Sequence, residues 1–213
     1  PPNQLTTRVV NAAAASVKGL EIDALFAPTD FFTGTVSYTY NDGEYEDFQD
    51  ISNTASVISR ASVRNGGNCT VVAAGTPPAS RCIVDYSGYR LEGASKHSIQ
   101  LGGQVRGDVS ADLGWFFDTD VRYQSKRYTS FENSLSMDSY WLVDLRAGLK
   151  TETWNITGYV NNVFNDDTIK ASAVYLQAWT ASYQPPRPTG LFSFASGLFP
   201  DKRQFGVRAS MNF

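Results

Sequence analysis

KRQFGVRASMNF, residues 202–213, is the stretch on which the fold turns. Phe205, Val207, Ala209, Met211 and Phe213 alternate with Gln204, Gly206, Arg208, Ser210 and Asn212. A period of two marks a strand with one apolar and one polar face. The pattern reaches the aromatic Phe213, where soluble domains usually fray. A strand held that far must be paired, and its apolar row must meet something apolar. If small polar residues stand opposite the same pattern upstream, that medium is lipid rather than a protein core.

The pattern does recur. Leu20, Ile22, Ala24 and Phe26 alternate with Gly19, Glu21 and Asp23. A turn at Pro28–Asp30 leads to Phe32, Val36, Tyr38 and Tyr40, set against Thr33, Thr35, Ser37 and Thr39. Ile99, Leu101 and Val105 form the next apolar row, followed by Leu113, Trp115, Phe117, Val121 and Tyr123. Facing away from these are Phe116, Asp118, Asp120, Arg122 and Gln124. Two Asp and one Arg on one face make a dry core there unfavourable unless they are paired, but they suit a water-filled lumen. Trp141, Val143, Leu145, Ala147 and Leu149 oppose Tyr140, Asp144 and Arg146. A short turn at Thr151–Thr153 precedes Trp154, Ile156, Gly158 and Val160, with Asn155, Thr157 and Tyr159 opposite. With the terminal segment this predicts seven strands.

The connections alternate between long and short. Residues 49–94 and 166–200 are polar and rich in turn residues, and are predicted as long loops. Loops of that length count against a compact soluble domain but are the rule on the outer side of a membrane barrel. An up-and-down barrel closes on an even number of strands, so seven predict a piece of a larger wall. PPNQLTTRVV has no apolar signal core, which fits a chain beginning internally or after processing.

Composition agrees. No apolar run is long enough to cross a membrane as a helix. Mean hydropathy is −0.27, as alternation averages to in a barrel. Eleven Tyr, thirteen Phe and four Trp suit a β-protein, or one with aromatic belts at a membrane surface. A net charge of −3 and pI near 5.1 exclude an extended nucleic-acid surface. Cys69 and Cys82 share one polar stretch and read as a loop disulfide, contributing about 3 kcal/mol; two free thiols are the alternative.

DTDVRYQSKRYTS, then DSYWLVDLRAGLKTETWNITGYVNNVFND, then RQFGVRASMNF resemble the C-terminal end of TonB-dependent outer-membrane receptors. The run Trp154–Asn165, with Asn162, Val163 and Phe164 near its end, follows the family's pattern, and Lys18, Gly19, Leu20 and Glu21 match a further strand-turn-strand unit; each motif is modest alone, and three in the right order are fairly specific. The resemblance implies an all-β, antiparallel transmembrane β-barrel segment, part of a barrel of about 22 strands around a plug. Residues 1–213 would be its C-terminal portion, with plug and earlier strands outside this chain. It implies nutrient uptake (an iron chelate, cobalamin or an oligosaccharide) across the Gram-negative outer membrane, with energy reaching the plug through the TonB system. It also implies a barrel-assembly signal at Phe205, Val207, Met211 and Phe213. Expected partners are outer-membrane lipid, the rest of the barrel and the plug; no enzyme activity, cofactor, metal or nucleic acid is implied.

Site residues are less legible. Tyr175, Trp179 and Tyr183 can stack on a cargo or pack a loop onto itself. Arg122 and Asp118 can touch cargo, or simply line a solvated wall. His97 starts a strand without an evident partner, and no nucleophile or base joins the carboxylates. Two alternatives remain: a passive porin or adhesin barrel, and a soluble β-sandwich binding module whose apolar faces pack on each other.

Overall fold

The structure, a computed structural model, describes residues 14–52, 69–72, 81–133, 135–178 and 191–212. Every regular element among them is a strand. In chain order these are β1 (Ala14–Thr29), β2 (Phe32–Asp47), β3 (Gln49–Ser52), β4 (Cys69–Val72), β5 (Arg81–Asp85), β6 (His97–Ser110) and β7 (Leu113–Gln124). There follow β8 (Arg127–Tyr128), β9 (Ser136–Met137), β10 (Tyr140–Lys150), β11 (Trp154–Asn161), β12 (Ala171–Ala178), β13 (Leu191–Leu198) and β14 (Gln204–Met211). Seven of them form one antiparallel meander in the order β1-β2-β6-β7-β10-β11-β14. These are the seven predicted strands, joined at one edge by short turns and at the other by the long connections.

Register converts the alternation into two continuous faces. Val36, Leu101, Val121 and Val143 are direct partners across four strands. One row up, Tyr38, Ile99, Tyr123 and Trp141 align; near the short turns, Trp115, Leu149, Ile156 and Ala209 do. Positions 115 and 123 are eight residues apart, about 26 Å along a strand and about 20 Å once tilted. Two aromatic levels thus bracket a band somewhat shorter than the roughly 25 Å apolar height of an outer-membrane barrel, as girdle rings at its two margins would.

No second layer covers this face among the described residues. Ile22 is 47% exposed, Trp141 46% and Leu20 54%, although all three lie in paired strands. A β-sandwich would bury them against a partner sheet. The predicted single sheet with unpartnered apolar rows is what the structure has.

The packed core lies elsewhere, at the loop edge of the sheet, where the end of β2 meets the β2–β6 and β7–β10 connections. Buried apolar residues among those described are Tyr45, Phe48, Val84, Tyr86 and Met137. Phe48, Tyr86 and Phe131 have ring centroids 5.0–5.6 Å apart, which joins the β2–β6 connection to the β7–β10 connection. Asn133 adds to the joint: its Nδ2 donates to the Arg90 carbonyl at 2.8 Å and its Oδ1 accepts the Arg90 N–H at 3.0 Å.

Three expectations need correction here. Residues 49–94 are not a plain loop: β3, β5 and β4 pair as a small sheet. Residues 166–200 likewise carry the hairpin β12–β13. Both were hidden by short runs without sustained alternation. His97 does have a partner: the Tyr38 hydroxyl lies 3.0 Å from its Nδ1, on the adjoining strand.

Candidate functional site: the polar face and its rim

On β7 and β10, Asp120 and Asp144 stand directly opposite. Two carboxylates so placed repel unless a cation joins them. Arg122 does so, with Nε 2.9 Å from Asp120 and Nη2 2.6 Å from Asp144. The other oxygen of Asp144 accepts the Asn162 N–H at 2.8 Å. Asp118 sits two residues along from Asp120 and accepts from Gln104 Nε2 at 2.8 Å. Arg122 and Asp118 therefore lie on the predicted lumen face, each already engaged by wall residues.

Along β11 the same face opens into a recess of about 650 Å³ that runs from Asn155 and Ser210 near the short turns to Asn161 at the loop edge, with Asp118, Arg146, Tyr159 and Arg208 also in its lining. It is bounded by side chains of one parity, as the alternation requires.

At the loop edge, Asn162 holds the end of β11. It is buried and adopts a φ of 51°, which asparagine tolerates better than most residues. Its Nδ2 donates to the carbonyls of Asp166 (2.9 Å) and Asp201 (3.0 Å), and its Oδ1 accepts the Asp166 N–H (2.8 Å). One side chain thus ties the ends of the β11–β14 connection together.

Beside it, the Tyr140 hydroxyl donates to Gln124 at 2.7 Å, and Lys170 Nζ lies 3.5 Å from the Tyr140 ring centroid. The Arg127 guanidinium is 5.8 Å from the same ring and donates to the Lys170 carbonyl. Lys170 also pairs with Asp166 at 2.5 Å. Burial opposes the charge on Asp166, but Lys170 and the Thr168 N–H outweigh it and hold the carboxyl below its usual range. This cluster was not anticipated from sequence; the Asn-Asn and Asn-Asp dipeptides of VNNVFNDD were the available signal.

The remaining predicted residues stay apart from this cluster or lie outside the described residues. Tyr175 is on β12, paired in register with Phe194, and its side chain is outside what is described; so are Trp179 and Tyr183 entirely. Phe205, Val207 and Met211 are on the apolar face of β14, 80%, 75% and 60% exposed; Phe213 lies outside the described residues. The backbone register pairs Cys69 with Val84 and Cys82 with Val71, while the cysteine side chains lie outside the description. Among the described residues no group of three His, Cys, Asp or Glu is placed to hold a metal ion.

Comparison with known proteins supplies the context. Residues 1–163 match the family profile described as TonB dependent receptor-like, beta-barrel. Among solved structures, the siderophore receptor PiuA of Acinetobacter baumannii superposes with a TM-score of 0.57 at 16% identity, over 92% of this chain and 21% of its own. The ferric yersiniabactin uptake receptor FyuA of Yersinia pestis gives 0.57 at 14% identity, over 93% and 24%. BauA, the ferric preacinetobactin receptor of Acinetobacter baumannii, gives 0.56 at 14%, over 92% and 22%. This chain therefore spans between a fifth and a quarter of each. No curated protein matches it.

Proposed function

We infer the function from one premise: the chain belongs to the TonB-dependent receptor-like β-barrel family. The proposal is that residues 1–213 form the C-terminal part of the barrel wall of an outer-membrane receptor. That receptor imports a ferric chelate across the Gram-negative outer membrane, driven through its plug by the TonB system. The observation that carries the reading is the two-faced meander, with an exposed apolar face and a charged, hydrogen-bonded polar one. A bilayer accepts a sheet only as a closed cylinder, so this wall calls for further strands on both edges.

The chelate, rather than cobalamin or an oligosaccharide, is chosen because the three solved structures named above are siderophore or ferric-chelate receptors. The long connections would form the vestibule, with Tyr175, Trp179 and Tyr183 as stacking contacts and Arg122 and Asp118 further down the wall. Phe205, Val207, Met211 and Phe213 would serve as the assembly signal, and Cys69 and Cys82 as a loop disulfide formed outside the cytoplasm. The role is transport, with no catalytic residue assigned.

The test is uptake of radiolabelled iron chelates by cells carrying the full-length receptor, with and without TonB. Saturable uptake that disappears without TonB is the expected result. Uptake that is linear with concentration and indifferent to TonB would make the protein a passive porin.

A further inference from the structure

We propose that the cleft between the β7–β10 and β11–β14 connections admits an anionic oxygen of the cargo, bound there by Arg127 and Ser172. The inference rests on the receptor reading above. It narrows that reading from ferric chelates in general to those carrying a carboxylate or phenolate on an apolar body.

The cleft has a volume of about 540 Å³ and lies at the loop edge, where cargo arrives. One flank is Leu135–Asp138, just ahead of β10. The other is formed by residues 167–169 and Ser172. Leu135, Met137, Ile169 and Phe199 make its surface mostly apolar, the usual make-up of a small-molecule site with a few converging polar groups.

Arg127 stands where the two flanks meet. On the β8–β9 ladder it is the direct partner of Met137, and direct partners project to the same side. Its Nη2 donates to the carbonyl of Lys170, between Ile169 and Ser172 in the other flank.

Charge then selects the guest. Arg127 is 7% exposed, and its Nη1 is buried without a hydrogen-bond partner. No carboxylate among the described residues pairs with it. The Tyr140 ring, 5.8 Å away, offers its π face but no acceptor, and Lys170 occupies the same ring at 3.5 Å. A guanidinium held out of water is ordinarily matched by an anion. Ser172 repeats the pattern: its Oγ lines the same cleft, buried and unpartnered.

The acidic residues nearby do not cancel this. Asp166 pairs with Lys170, and Asp167 with Lys202. Asp138 lines the cleft but is exposed, so water screens its charge, whereas nothing screens the buried guanidinium. A slight parting of the flanks uncovers Nη1, and Nη2 can keep the Lys170 carbonyl while Nη1 takes the guest. An anionic oxygen gains a charge-assisted bond and a hydroxyl bond there. A neutral chelate would leave the cation unmatched.

The experiment measures binding of two iron(III) complexes to the full-length receptor in detergent: the anionic tris(catecholate) and the neutral tris(acetohydroxamate). The native receptor is expected to bind the catecholate complex at least about tenfold tighter. Arg127→Gln should weaken the catecholate complex about tenfold and leave the hydroxamate complex unchanged, and Ser172→Ala should weaken the former about threefold. Arg127→Lys keeps the charge without the fork and should recover part of the loss. A merely structural Arg127 would weaken both complexes alike. Hydrogen–deuterium exchange of residues 135–138 and 166–172 in the native receptor should slow when the catecholate complex is added. That arm needs no variant, so it decides the matter should Arg127→Gln fail to assemble. Equal affinity for the two complexes, binding of neither, or equal losses in Arg127→Gln would overturn the assignment. So would displacement of the catecholate complex by equimolar inorganic phosphate, which would make this a plain anion site. Native receptor with no TonB-dependent uptake of any iron chelate would instead sink the receptor reading itself, so the two failures are distinguishable.

Discussion

Asn162 concentrates more of the loop edge in one side chain than any charged residue on the wall. Its amide makes three of the bonds that close the β11–β14 connection, and its backbone sits in the left-handed region. Asn162→Gly is expected to cost about 2 kcal/mol through buried groups left unpaired. Asn162→Ala should cost about 1 kcal/mol more, because alanine resists that φ. Protease cleavage between residues 163 and 203 in the assembled receptor measures both, and equal cleavage of native and variant would refute the role. Asp166 adds a pH dependence. Its folded-state pKa is depressed, so its contribution is present above the unfolded value, near 4, and is lost as pH falls through the folded value. Exchange of the 166–170 backbone should therefore be slow and flat from pH 5 upward after correction for intrinsic rates. It should rise only in stronger acid; a rise near pH 6 would assign the transition to another group.

At the level of elements, the seven long strands and their faces were legible because alternation survives any environment with two different sides. That the apolar side has no second protein layer against it among the described residues was legible too, because the face opposite carries Asp120, Arg122 and Asp144 and reads as wet, which leaves the sheet without a two-layer core. The short ladders β3–β5–β4, β8–β9 and β12–β13 were not legible. β3, β4, β5, β8 and β9 are two to five residues long and give little periodicity, β12 (ASAVYLQA) and β13 (LFSFASGL) lack a sustained apolar-polar alternation, and the contacts that fix Phe48 and Phe131 join segments far apart in sequence. Adjacent residues on β6 expose the logic of the faces. Leu101 is in the middle of the apolar band and Gln100 beside it faces the lumen. Leu101→Arg is expected to destabilise folding in lipid vesicles by about 2–4 kcal/mol, and Gln100→Arg by far less. Equal penalties in an equilibrium folding titration of the full barrel would mean that the faces are misassigned.

At the scale of the whole sheet, the described residues are packed at the rim rather than at the centre. Phe48, 3% exposed, is the hinge of an aromatic cluster shared by two connections. Phe48→Ala should cost about 3–5 kcal/mol within that cluster. Both connections should then become protease-sensitive while the barrel keeps its heat-modifiable mobility; loss of the barrel itself would contradict a separable rim. The exposed apolar rows carry a further consequence, for heredity. Leucine, valine, isoleucine and phenylalanine are near-synonyms wherever hydrocarbon is the only neighbour, since no interlocking shape has to be preserved. Lineages can reword that surface freely and still spell the same cylinder. Kinship in such chains is then written less in their greasy letters than in their punctuation, the asparagines and glycines at which strands stop and bend.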